Sequence, residues 1–352
     1  MDDRYKGIYK NIMIQVHRLR KQTNKGSIET RYRYEESNDR FAQFLAEKFR
    51  LQNFENVKEK HFTAYAEHMV HEGYSGKTIR TDLSGIRYFH ELSGSRFTLP
   101  TNAELEEKGI TLPNTNTNTV DRAWTDREIE HAKMVATSMD RQDVVTGIDL
   151  ARNFGLRVNE LSSLRIAPVK EALDHGYLHV KGKGGVERDI PVRNEAQIHA
   201  LEKALTYAQS QERNRLGEYV LAESRKGGVL AEKSSLQNWL GNHREKFQDN
   251  RSQERPETRQ NATGVKERTE NVSWHGLRYA FAQERYSEAL EKHIEAGGGL
   301  GHTDRGHAEY HARVETSLEL GHFRDSVTLI YLSTHTDDTS DDTSHDTSHD
   351  PD

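Results

Sequence analysis

Apolar residues recur at helical spacing through roughly the first hundred positions. Ile8, Ile12 and Val16 fall four apart, Phe41, Phe44, Leu45 and Phe49 mark a second helix, and Val57 to Val70 predicts a third. In a fourth, Ile79, Leu83, Ile86 and His90 share one face, and Lys77, Arg80 and Arg87 form a basic stripe roughly a quarter turn away. Pro113 stops the pattern. The stretch after it, Asn114-Thr115-Asn116-Thr117-Asn118-Thr119, carries side chains that bond their own backbone and compete with regular structure, so it reads as a linker. Thr125-Asp126-Arg127-Glu128 ahead of Ile129 has the spacing of a capping box and opens a new helix.

Beyond the linker the pattern mixes types. Residues 143–153 predict a helix that ends at Gly155, and Tyr177 to Val192 alternates as a hairpin with Gly184-Gly185 at its turn. Helices are expected over 197–213, 235–248, 274–292 and 322–332, with 249–270 as charged loop. Residues 297–316, opened by Gly297-Gly298-Gly299, read as a flexible excursion. The stretch DDTSDDTSHDTSHDPD holds seven Asp and neither Lys nor Arg, cannot bury enough apolar surface to fold, and makes 336–352 a disordered acidic tail. The expected layout is a helical domain at 1–112, a linker at 113–121, a second domain at 122–335 and the tail.

Composition narrows the function classes. A chain of 352 residues suits two domains, and 33% hydrophobic with 30% charged residues suits a folded, very polar protein. No apolar run reaches the ~18 residues of a membrane span, and residues 1–20 hold no apolar core of a secretory signal. A cytoplasmic protein with no membrane partner is expected. Zero cysteines exclude disulfides, thiolate zinc sites, iron–sulfur clusters and Cys nucleophiles. The net charge of −6 argues against nucleic acid until the tail is set aside, because its seven Asp leave the remainder at +1. Residues 1–113 carry 19 Lys and Arg against 16 Asp and Glu. Lys77, Arg80 and Arg87 then have two readings, a DNA-binding edge on the phosphates or a solvated charged face.

Several polar groups have no use in a core. Arg157 follows the terminator Gly155, Lys183 sits at the hairpin tip, and His275 and Arg278 lie three apart on one helix face. His322 follows Leu320-Gly321, and Tyr331 comes nine residues later. A second Leu-Gly-His, at 300–302, is followed by Tyr310; the polar run Thr303 to Glu309 after it favours His322 and Tyr331. His302, His307 and His311 have a spacing that could ligate zinc, yet no fourth ligand is evident, and no metal is expected.

Taken in order, GLRVNEL with Arg157, VKGKGGVER with Lys183, WHGLRYAFA with His275 and Arg278, and LELGHFRDSVTLIY with His322 and Tyr331 strongly resemble the tyrosine recombinase (phage integrase) family. The resemblance covers about 122 to 335, and the preceding helices are similar in pattern to the family's core-binding domain. It implies a mainly α fold with a small β-hairpin: a helical core-binding domain joined to an α+β catalytic domain. It also implies a site-specific DNA recombinase or integrase, catalysing integration or excision of a mobile element. Such an enzyme cuts double-stranded DNA without metal, ATP or other cofactor, through a 3′-phosphotyrosine intermediate, as a homotetramer on synapsed sites. Accessory DNA-bending proteins and a cytoplasmic, nucleoid-associated location belong to the same expectation.

The implied roles fit the chemistry. A phenol can hold the phosphoryl group covalently, which assigns Tyr331 as nucleophile. Two guanidiniums offer forked donors to a pentavalent phosphorus, which assigns Arg157 and Arg278, with His322 as a further donor. Lys183 on the hairpin would protonate the leaving 5′-hydroxyl, with Lys181 on the same strand face as its alternative. His275 would take the phenol proton or position the phosphate. Glu160 resembles the family's acidic support for the first arginine, or else is a surface carboxylate. Residues 1–25 are open between an extra DNA-binding arm and a helix on a neighbouring protomer. Two other functions stay open: a type IB topoisomerase-like nicking–closing enzyme, and a catalytically silent helical DNA-binding regulator, the latter opposed by six filled catalytic positions.

Overall fold

The computed structural model describes residues 2–23, 28–114, 121–182, 185–211, 218–222, 227–249, 252–253, 268–269, 271–296, 302–322 and 328–332. Most of the expected linker, Lys183, Gly184, residues 297–301 and the acidic tail lie outside the described residues. The described residues form two compact units, one up to residue 114 and one from residue 121 on.

The first unit is helical: α1 (Asp3–Gln22), α2 (Ile28–Phe49), α3 (Glu59–His71), α4 (Gly76–Leu92) and the short α5 (Asn102–Glu107). Ile12 and Val16 of α1 are buried in the core of their own unit, with Phe41 and Leu45 of α2 and Ile79, Leu83 and Ile86 of α4. The apolar face of α1 is therefore used within its own unit rather than on a free-standing arm. One carboxylate sits inside this core. Asp82 accepts two bonds from Arg40 (2.8 and 2.6 Å), one from Ser37 Oγ (2.9 Å) and one from Tyr65 Oη (3.1 Å), which compensates its burial. Sequence pattern located the helices but not this network, because its partners come from three of them.

The second unit runs α6 (Asp126–Ser138), α7 (Gln142–Phe154), α8 (Val158–Ser162), α9 (Ile166–His175), β1 (Tyr177–Lys181), β2 (Glu187–Pro191), α10 (Glu195–Ser210) and α11 (Val229–His243). A two-residue pair, β3 (Ser252–Gln253) with β4 (Arg268–Thr269), precedes α12 (Trp274–Ala296) and α13 (His302–Leu320). Thr125 and Glu128 form the expected capping box on α6. In the hairpin Tyr177 pairs with Pro191 and Lys181 with Glu187, and the alternation turns Leu178, Val180, Arg188 and Ile190 inward. Helix α7 ends at Gly155 in the left-handed conformation (φ +59°), where an added Cβ would lie 2.4 Å from the Phe281 ring.

Two expectations are corrected. Residues 302–316 are no excursion: they belong to one continuous helix, whose Ala308, Ala312, Thr316 and Leu320 are buried at four-residue spacing, while α12 packs alongside. Arg305 and His307 of the polar run are exposed, which is why it read as loop. The helix expected over 322–332 is corrected at its two ends: Gly321 (φ +66°) ends α13 and His322 is in coil, while Thr328 is helical and leads into one 3-10 turn at Leu329–Tyr331.

Candidate active site

The site is assembled at element ends. Arg157 is the N-cap residue of α8, and its backbone N–H donates to Glu160 Oε2 at 2.9 Å. Its Nη1 donates to Glu160 Oε1, also at 2.9 Å, so one carboxylate fixes both the start of the helix and the guanidinium. Glu160 is 4% exposed, which rules out the surface reading. A third group shares it. Arg188 Nη1 and Nη2 donate to the two Glu160 oxygens at 3.0 and 2.8 Å, and Arg188 Nε donates to the Glu319 carbonyl at 2.7 Å. Burial pushes the Glu160 carboxyl up, but the Arg188 bonds and charge, then those of Arg157, outweigh it and hold the group at about 2.

Arg188 was missed in the sequence. Its signal was there: in Glu187-Arg188-Asp189-Ile190 the period-2 pattern places the arginine on the inward face beside Ile190. Two glycines make room for it. A Cβ at Gly182 would lie 2.9 Å from Glu160 Oε1, and one at Gly321 would lie 2.9 Å from Arg188 Cδ.

The first turns of α12 supply the next pair. Trp274 Nε1 donates to the Leu236 carbonyl (2.9 Å), and Trp124 Nε1 donates to the Ser273 carbonyl (2.8 Å), so the helix start is pinned from two sides. Arg278 is wholly buried. Its Nη1 donates to the Gly155 carbonyl at 2.5 Å, and its Nη2 donates to the Leu320 carbonyl and, at 3.1 Å, to His322 Nε2. Each end of that fork rests on a helix terminus, which is why Gly155 and Gly321 flank the site. Burial lowers the Arg278 pKa to about 10, leaving it a cation at neutral pH.

Tyr331 closes the arrangement. Its hydroxyl lies 3.3 Å from His275 Nε2, 3.4 Å from His322 Nε2 and 3.4 Å from Arg278 Nε. The residue is 3% exposed, and its ring centroid lies 4.5 Å from that of Tyr279. Burial, then the charges of Arg278 and Arg157, lower His275 to about 4 and His322 to about 3, so both imidazoles are neutral at physiological pH. The phenol thus stands among neutral proton acceptors in a setting whose fixed charges are mainly positive. That setting suits an anion which gains charge as it reacts.

Of the expected site residues, the structure brings together Arg157, Glu160, Arg278, His275, His322 and Tyr331. Lys183 lies outside the described residues; its neighbour Gly182 abuts Glu160, as above. Tyr310 is about half exposed on α13, against His311. The basic stripe on α4 is corrected in part. Arg80 Nη1 donates to the Pro113 carbonyl (2.5 Å), and Arg87 donates to the Pro100 carbonyl (2.7 Å) and Asn102 Oδ1 (2.9 Å) while lying over Phe62. These two arginines brace the segment after α4, and Lys77 is the exposed member of the three.

Comparison with known proteins places this geometry. The model described as Phage integrase family matches residues 125–316, and that described as Phage integrase, N-terminal SAM-like domain, matches residues 19–93. The chain belongs to the phage integrase family, the tyrosine-type site-specific recombinases. No curated protein matches it. Among solved structures it is similar to a lambda integrase dimer bound to a COC′ core site, with TM-score 0.56, 15% identity, and coverage of 94% of this chain and 99% of that one. It is also similar to the Tn1549 transposon integrase in complex with transposon right end DNA (TM-score 0.51, 14% identity, 91% and 94% covered). A lambda integrase tetramer bound to a Holliday junction matches at TM-score 0.51 and 17% identity, with 84% and 76% covered. At these identities the likeness is one of fold. The family match ends at residue 316, so His322 and Tyr331 enter the site through the distances above.

Proposed function

We propose that Tyr331 is the nucleophile with which this recombinase cuts and rejoins duplex DNA, in the protomer that also supplies Arg157, Arg278, His275 and His322. The observation that carries the reading is the convergence of His275 and Arg278 of α12 and of His322, from beyond α13, on one buried phenolic oxygen. The phenolic oxygen attacks the scissile phosphorus, forming the Tyr–O–P bond and breaking the bond to the 5′-oxygen. Arg157 and Arg278 meet the non-bridging oxygens. A phosphate within reach of Tyr331 Oη would also be within reach of Arg278 Nε.

The hydrogen bonds favour one proton path. His322 Nε2 already accepts from Arg278, so His275 Nε2 is the open acceptor for the phenol proton. His322 then serves chiefly to hold the guanidinium. The leaving 5′-oxygen takes its proton from Lys183. Rejoining reverses these steps with the 5′-hydroxyl of the partner duplex.

Assembly as a homotetramer on two sites is part of this reading, supported by the tetramer of lambda integrase on a Holliday junction. So is binding of duplex DNA by both units, with accessory DNA-bending proteins and a nucleoid-associated location following from that substrate. No helix among the described residues is long and apolar enough to cross a membrane.

The test is covalent trapping on a nicked suicide substrate. Tyr331→Phe should abolish protein–DNA adducts and leave gel-shift binding intact. Adducts that persist in Tyr331→Phe and vanish in Tyr310→Phe would move the nucleophile to α13. Transfer of the trapped strand to a second duplex is expected; relaxation of supercoiled plasmid with no transfer would favour the nicking–closing alternative.

A further inference from the structure

Gln283 lies on α12 about two turns beyond His275, partly buried, away from the reacting atoms. Its side-chain Nε2 makes two bonds. One goes to the Tyr331 carbonyl at 3.1 Å, and the other goes to Asp121 Oδ1 at 2.9 Å. An amide nitrogen has two hydrogens, so this geometry uses both. Asp121 is the first described residue after the Asn/Thr stretch, the point at which the chain enters the catalytic unit. The same Asp121 oxygen accepts from the Ala123 N–H at 2.9 Å, which curls the entering segment onto the unit. The next residues reach the same helix. A Cβ at Gly276 would lie 2.4 Å from the Arg122 carbonyl, and Trp124 donates to the Ser273 carbonyl beside His275.

Tyr331 sits in one 3-10 turn, whose Leu332 N–H donates back to Leu329, and Leu332 packs with Tyr286, Ala289 and Ala312. Within so short a turn, a side-chain bond to the Tyr331 carbonyl fixes the plane of the peptide that follows it.

We propose that Gln283 is a positioning residue for Tyr331: it ties the nucleophile's carbonyl to Asp121, so that displacement of the chain where it enters the catalytic unit is felt at the phenol. The inference rests on Tyr331 as nucleophile. It gives the short path between linker and site a function, in which the bridge holds the phenol in register with His275 and Arg278.

Isosteric variants of the full chain separate this from packing. Maximal single-turnover cleavage of the suicide substrate and the half-saturating protein concentration are read together. Gln283→Ala and Asp121→Ala should each slow maximal cleavage about three- to tenfold, the span expected for one net hydrogen bond, with half-saturation unchanged. Gln283→Glu keeps the shape but turns a donor into an acceptor facing two acceptors, and should lose at least as much as Gln283→Ala. Asp121→Asn keeps Oδ1 and should cleave near the wild-type rate. The double variant Asp121→Ala with Gln283→Ala should be no slower than the slower single variant, because both remove the same bridge. Wild-type cleavage by Gln283→Glu, or losses that multiply in the double variant, would overturn the bridge even with Tyr331→Phe inactive. Adduct formation by Tyr331→Phe would overturn the nucleophile and the bridge together.

Discussion

Replacing Arg188 with Met should unfold the catalytic unit more readily than any change at its surface, and the size of the effect can be worked out in two ways. The substitution removes two bonds to Glu160 and one to the Glu319 carbonyl, and leaves a carboxylate that is 4% exposed with Arg157 as its remaining charged partner. Breaking a buried ion pair from one side costs roughly 3–5 kcal/mol. Glu160 is held at about 2 against 4.5 in a free side chain, and at about 1.4 kcal/mol per pH unit the difference is about 3.5 kcal/mol, of which Arg188 supplies the larger part and Arg157 the rest. A loss of about 3 kcal/mol is therefore expected. Because the folded pKa is depressed, this stability is fully present above pH 4.5 and is lost as pH falls through 2. For a unit of about 200 residues, 3 kcal/mol lowers the melting temperature by about 6–12 °C. Differential scanning calorimetry at pH 7 reads the shift, and Arg188→Met with Glu160→Gln should recover at least half of it by discharging the under-paired group. A single variant within about 2 °C of wild type, or a double variant no more stable than the single, would refute the idea that this pair holds Arg157 in place.

Four further outcomes follow from the same geometry. The His275 and His322 pKa values of about 4 and 3 lie below the ordinary 6.5, so the unfolded chain binds protons first. Stability from these two groups is complete above pH 6.5 and declines as pH falls toward 4. The acid limb of adduct formation, measured with protein below saturation, should fall near pH 4 to 5, and a midpoint of about 6 or higher would remove His275 as neutral acceptor. Gly155→Ala should cost roughly 2–4 kcal/mol by urea denaturation, from left-handed strain plus the Phe281 overlap, and should slow cleavage by shifting the carbonyl that holds Arg278. Arg87→Gln should destabilise the helical unit by roughly 1–3 kcal/mol, through its lost bonds to Pro100 and Asn102. Lys77→Gln should leave folding unchanged and flatten the salt dependence of DNA binding instead.

What the sequence by itself determined were the features set by neighbours along the chain. The capping box at Thr125, the hairpin from Tyr177, the terminator Gly155, and the His275–Arg278 pair on one helix face all follow from backbone geometry over a few residues. The order of the four boxes added Arg157, Glu160, His322 and Tyr331, all of which meet in the folded unit. Tertiary structure alone decided the rest. Whether Arg87 points at solvent or at the Pro100 carbonyl depends on a loop that passes over α4, and the helical period does not record that loop. Residues 302–316 looked like loop because their inward face is mostly alanine and threonine, too small to register as an apolar stripe until α12 lies against it. Arg188, Gln283 and Asp121 act across 28, 48 and 162 positions of chain. Strand period marks Arg188 as inward, but no local pattern names the partner of any of the three, since each bond's stability comes from burying both groups at once.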